Sequence, residues 1–171
     1  LTLYHTRTYA IQADGVVIYG NDRIFQTTRG GNYTWSWASN EEGARNAITD
    51  GVSAYDRITE AMDSAQYYYT NYSNLNKHIS VEYNEGVPTA DCAITGWMRF
   101  GKELRYQWVG TAQHEISHAM GVGTASNWRA LIQYDSGVRQ WSRPIANEAL
   151  QVMLKDMTQV IHGDTQHFWN G

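Results

Sequence analysis

QHEISHAMGVGT, residues 113–124, is the stretch on which the reading of the chain turns. His114 and His118 stand four residues apart, and on a helix that spacing places two side chains on one face, with Cβ atoms about 5–6 Å apart. Both imidazoles can then address one ion, and zinc takes imidazole nitrogen in a tetrahedral set. Glu115 follows the first histidine and projects beside such an ion. There it can accept a proton from water and pass it to a leaving amine. Zinc lowers the pKa of water at such a site to roughly 7. Six histidines are spread over 171 residues, and this pair brackets a glutamate inside a stretch with helical patterning, the context the motif requires. Gly121 stops that helix and turns the chain under the ion. The competing reading is a helix with two surface histidines and no metal.

Outward from the motif, the N-terminal 40 residues read as strands and turns, with a hairpin across GVVIYGNDRIFQTT closed at Gly20-Asn21-Asp22. From Asn40 to Tyr72 the spacing of Ile48, Val52, Tyr55, Ile58, Met62, Ala65 and Tyr69 predicts one long amphipathic helix, capped by Asn40. KHISVEYN alternates as a strand, and GWMRFG is a short strand between Gly96 and Gly101. ELRYQWVGTAQHEISHAM predicts a second helix, and PIANEALQVMLKDMTQVIHG a third that starts near Pro144. The last residues, HGDTQHFWNG, carry no regular pattern.

Composition narrows the classes. The single cysteine, Cys92, leaves no internal disulfide and no cysteine-based zinc site. A net charge of −4 with scattered basic residues offers no footprint for nucleic acid and no basic patch for a membrane surface. No apolar run of about 18 residues predicts a membrane span. The N-terminus lacks the pattern of a signal peptide, so a secreted form would already have lost its leader. The 12 Tyr and 7 Trp, against 3 Phe, suit a binding cleft, a carbohydrate-facing surface or simply a strand-rich exterior.

HEISHAMG resembles the helix of the zincin metallopeptidases, and the form His-Glu-x-x-His-x-x-Gly resembles the metzincins among them. In that clan a third ligand stands three residues after the glycine. Here Thr124 occupies the place, and no Met-turn is evident. From about Ala47 to Trp169 the chain is similar to a group of secreted bacterial metallopeptidases that carry a GDxxHFW segment and are often joined to carbohydrate-binding or lectin modules. GDTQHFW, residues 163–169, matches that segment. The group continues into Pro-Tyr-Gly, where this chain has Asn170 and Gly171.

The third ligand is therefore open. His167 leads on the resemblance and His162 follows, with Asp164 either orienting an imidazole or closing a turn. Glu148 in ANEAL is the rival, because that helix resembles the one that supplies a glutamate ligand in thermolysin-like zincins. His5 and His78, in strands, read as ordinary histidines. GWMRFG is the candidate edge strand for an extended substrate. Trp97, Tyr106, Trp108 and Trp128 are candidates to line a cleft, and Tyr134 has no spacing that supports an oxyanion role.

Together these give the expectation of a single catalytic domain with an α+β, zincin-like fold. A twisted mixed sheet, a long backing helix and an active-site helix fill residues 1–121, and a smaller C-terminal part, 122–171, returns the last ligand. The expected function is a secreted, extracellular zinc endopeptidase. Its metal ligands are His114, His118 and His167, its general base is Glu115, and its substrate is a protein, peptide or glycoprotein. Carbohydrate-binding modules in a longer precursor are a further expectation. The alternatives are a carbohydrate- or protein-binding module that retains a zinc site, and a zinc hydrolase of a non-peptide bond.

Overall fold

The computed structural model describes residues 3–26, 30–135 and 138–169. Five α-helices and several small sheets make an α+β fold. At the N-terminus β1 (Leu3–Thr6) runs antiparallel to β4 (Arg23–Gln26), and between them β2 (Tyr9–Ile11) pairs with β3 (Val17–Tyr19). Gly20-Asn21-Asp22 therefore does not close the expected hairpin. The tight turn sits at Asp14-Gly15, where the Asp14 carboxylate accepts from the Val16 N–H at 3.0 Å and Gly15 takes a φ of +83°. Glycine reaches that conformation without steric cost.

The expected helix over 40–72 is broken. β5 (Tyr33–Ser39) leads into α1 (Glu41–Asn46). A two-residue hairpin follows, β6 (Ile48–Thr49) and β7 (Val52–Ser53), and then α2 (Ala54–Tyr72). Asp50 and Gly51 take φ of +52° and +78°, the left-handed pair that an Asp-Gly hairpin turn demands. Ile48 is 66% exposed, so it has no part in the buried face of a helix. Asn40 precedes α1 but forms no side-chain cap; its amide donates to the Tyr83 carbonyl at 2.8 Å. The helix that does form is capped by Ser53, whose hydroxyl accepts from the Asp56 N–H at 3.1 Å. Its buried stripe is Ala54, Ile58, Ala61, Met62 and Ala65.

α2 lies against a four-stranded mixed sheet in the order β5, β8 (Lys77–Tyr83), β10 (Trp97–Phe100), β9 (Ala90–Cys92). β5 and β10 both run parallel to β8, and β9 is antiparallel to β10. Alternation holds here as expected: Ile79, Val81 and Tyr83 of β8 and Met98 and Phe100 of β10 point into the core. The indoles of Trp35 and Trp37 on β5 donate to Asp63 at 3.0 Å and Thr59 at 3.3 Å on α2. Those bonds satisfy polar groups that half-burial would otherwise leave unpaired. The candidate edge strand GWMRFG is an interior strand. It is hydrogen-bonded to β8 on one side and β9 on the other, so no row of backbone groups remains for a third strand. The edge is β9.

The second helix begins later than its sequence pattern. Leu104–Tyr106 form one 3₁₀ turn, and α3 spans Val109–Ala119. The buried Gln107 holds the junction: its amide donates to the Gly101 carbonyl at 2.8 Å, and its oxygen accepts from Arg57 of α2 at 2.7 Å. α3 then packs on α2 and on β9, with Ala112, Ile116 and Ala119 turned into the same core.

The C-terminal part has a small core of its own. α4 (Trp128–Leu131) is followed by β11 (Ile132–Asp135), β12 (Val138–Trp141), α5 (Pro144–Leu154), β13 (His162–Gly163) and β14 (Phe168–Trp169). The four strands form one antiparallel sheet in that order. The third helix thus stops at Leu154, with Lys155 in the left-handed region, and Met157 and Val160 lie beyond it. The tail read as irregular is a hairpin, β13–β14. Trp128 is buried rather than cleft-lining, packed in a tilted arrangement against Trp141 and Phe168 at centroid distances of 5.4 and 4.8 Å. Asn147 of α5 donates to the Trp141 carbonyl at 3.0 Å and accepts from the Ile161 N–H at 2.8 Å, tying the helix to β12 and to the residue that precedes β13.

Candidate metal centre

Helix α3 supplies three of the four site residues, and the way it ends sets their chemistry. Gly121 has a φ of +108°. Its N–H donates to the His118 carbonyl at 3.0 Å, and the Val122 N–H donates to the Ser117 carbonyl at 3.0 Å. This is the Schellman pairing, in which a left-handed residue after the last turn satisfies the free carbonyls. The turn sends the Val122 carbonyl back toward the helix, where it lies 2.7 Å from His118 Nδ1. With Nδ1 donating to that carbonyl, Nε2 is left as the free lone pair, the tautomer a metal ligand needs.

Thr124 stands where the metzincin pattern has its third ligand. Its hydroxyl donates to the His118 carbonyl and so closes the helix end. Its hydroxyl proton is committed to the backbone, and the third imidazole comes from elsewhere. His167, in the β13–β14 turn, reaches the pair on α3. Ring centroids are 4.9 Å apart for His114 and His118, 5.4 Å for His114 and His167, and 5.1 Å for His118 and His167. One ligand atom from each lies within 4.8 Å of the others. Burial, and then the nearby His118 and His167, lower the pKa of His114.

Asp164 closes the turn: it accepts from the Gln166 and His167 N–H groups at 2.7 Å each, and its carboxylate lies 3.4 Å from His167 Nδ1. The backbone bond from Gln166 is the main reason its pKa falls.

The hairpin reaches α3 because Gly123 lets it. Gly123 has a φ of +72°, and a Cβ there would lie 2.0 Å from the Gln166 carbonyl oxygen. Gly123→Ala therefore combines a left-handed strain of about 1–2 kcal/mol with a backbone clash. If the cluster holds zinc, the expected result is a folded chain whose zinc affinity falls by at least about tenfold, the scale of lost supporting contacts around a ligand. Zinc titration of the variant beside the wild type, with circular dichroism as the control for folding, checks it.

Glu115 is 6% exposed and lines a cavity of about 270 Å³ together with His114, His118, His167 and, from the edge strand, Asp91 and Cys92. Burial pushes its carboxyl up to about 7, and the negative charge of Asp91 adds to the shift. A carboxyl poised near neutrality can take up and release a proton in turn. Cys92 is buried, its thiol pushed up to about 12 first by that burial and then by Glu115, which makes it a neutral wall residue.

The remaining candidates fall outside the cluster. His162 lies on β13, opposite Trp169, and Glu148 is on an exposed position of α5. His5 bonds Asp22 at 2.6 Å, and both ring nitrogens of His78 meet hydroxyls, Thr34 at 2.9 Å and Ser36 at 3.2 Å. Tyr106 and Trp108 line a neighbouring cavity, and Trp97 lines neither. The Tyr134 side chain lies outside the described residues. Sequence reading missed Gly123 and the Val122 carbonyl. The second glycine of GVG was the one signal that pointed to them. No known protein-family model, curated protein or solved structure matches this chain.

Proposed function

We propose that the chain is a zinc-dependent endopeptidase with a zincin-like catalytic domain. The convergence of His114, His118 and His167 beside the buried Glu115 carries this reading. The donor set suits the ion. Three imidazoles are the ligand type zinc prefers, a set of three leaves a fourth position for water or substrate, and the hydrogen bond of His118 Nδ1 frees the other ring nitrogen. Zinc bound there supplies a Lewis acid and lowers the pKa of water. Glu115 takes the proton from the attacking water and delivers it to the departing amine. The Glu115 carboxyl lines the same cavity as the three imidazoles, within reach of both transfers.

The edge strand β9 runs along the cavity through Ala90, Asp91 and Cys92. An extended peptide added to its free side would be held by backbone bonds with its carbonyl over Glu115. The motif helix, the long helix behind the mixed sheet and an antiparallel edge strand at the cavity all fit the zincin reading. Secretion, and fusion to carbohydrate-binding modules, follow from the resemblance of GDTQHFW alone. No helix among the described residues is long and apolar enough to cross a membrane.

The test is loss and return of the metal. The zinc-loaded chain is expected to cleave an unstructured protein such as casein, to stop after chelation and dialysis, and to recover with about one equivalent of zinc. Cleavage that survives complete zinc removal would refute the reading. Zinc binding without cleavage of any peptide or protein would favour a hydrolase of another bond or a binding module.

A further inference from the structure

Beside the metal cavity lies a second space of about 430 Å³ to which nothing above gives a role. The two share Ala90 of the edge strand and both His114 and Glu115 of α3. A chain bound along β9 with its reacting bond at Glu115 therefore places a neighbouring side chain in this space. Its walls are aromatic: Tyr106 is half-buried and Trp108 is 56% exposed. Gly110 leaves room for the indole, since a Cβ there would approach the Trp108 ring to 2.5 Å.

One charge on the wall is unspent. Arg57 bonds Gln107, and Arg45 and Arg99 pair with Glu41 and Asp91. Arg105, which lines the space, has no acidic partner among the described residues. Its guanidinium rests against the Tyr106 ring, 4.8 Å from the centroid, an arrangement that holds the group without neutralising it. The other charged group on the lining is Glu115, at the metal end. The start of α3 adds to the positive side. No side chain caps it, and Gly110 and Thr111 border the same space.

We propose that this space is a specificity subsite selecting an acidic side chain, glutamate foremost, next to the bond that is cleaved. The proposal rests on the peptidase reading for the bond, though not for the binding. The methylenes of glutamate pack between Tyr106 and Trp108, and its carboxylate meets the Arg105 fork, the geometry in which arginine surpasses lysine.

The test uses the zinc-loaded chain and a set of peptides identical except for Glu, Gln or Lys at one position, walked through three positions on either side of the centre. Cleavage rates and dissociation constants are both measured. Glu is expected to exceed Lys by tenfold or more at one position. Arg105→Glu should invert that order and Arg105→Lys keep a weakened form of it, with zinc content and thermal unfolding as controls for the fold. Equal handling of the Glu and Lys peptides by the wild type, or an order that Arg105→Glu leaves unchanged, would overturn the proposal. If no peptide is cleaved, binding decides alone. An Arg105-dependent preference in the dissociation constants upholds the subsite while removing the peptidase, and its absence removes both.

Discussion

Replacement of Glu115 by Gln is expected to lower turnover of any cleaved peptide by about 10²–10⁴-fold, the usual contribution of a positioned general base, while zinc content stays at that of the wild type. The substitution keeps the shape of the side chain and removes its basicity. It leaves the three imidazoles and the Schellman turn behind His118 untouched. The fold should not suffer. Burial opposes the charge on Glu115, so a neutral isostere holds the thermal midpoint or raises it near neutral pH. Loss of rate through the metal would appear as lost zinc, and loss through the fold as a lower midpoint. Loss of kcat with neither is the signature of the base. Undiminished turnover in Glu115→Gln would remove the mechanism.

How much of this was legible beforehand depends on the range of the interactions. The motif helix was legible because two imidazoles and a glutamate at i, i+4 and i+1 fall within a single turn and a half, and Gly121 marks its end. β8 was legible because one buried face forces alternation at Ile79, Val81 and Tyr83. The stretch over 40–72 misled for a physical reason. Ile48, Val52, Tyr55 and Ile58 keep helical spacing, and periodicity counts spacing without counting the cost of Asp50-Gly51 in a helix. Turn chemistry prevailed there, and the Asp-Gly pair was the signal to weigh. The edge of the sheet was out of reach for another reason. GWMRFG reads as a strand whether it has one neighbour or two, and its second neighbour, β9, is only three residues long. Gln107, Thr124 and Asn147 act through backbone groups six or more residues away in sequence or hidden at helix ends, and residue type alone announces none of those roles.

The second large effect is on the metal itself. His167→Ala is expected to reduce zinc affinity by at least about 10²-fold, the upper end of what lost supporting contacts cost and a lower bound for a lost ligand. Elemental analysis after dialysis should then find near one zinc per wild-type chain and little in the variant. His162→Ala and Glu148→Ala, whose side chains lie outside the cluster, should keep the wild-type content. The fold should survive in His167→Ala, because the hairpin that carries it is anchored by Phe168 against Trp128 and Trp141 and by the Asp164 turn. Zinc retained in His167→Ala and lost in Glu148→Ala would move the third ligand to α5.

The claim on which the rest stands is that one zinc is held by three imidazoles, two from α3 and one from the C-terminal hairpin. X-ray absorption at the zinc edge of the loaded chain measures that directly. The expected spectrum has three imidazole nitrogens at about 2.0–2.1 Å and one further light atom. Two imidazoles in the wild type, a sulfur ligand, or no specifically bound zinc at all would contradict it.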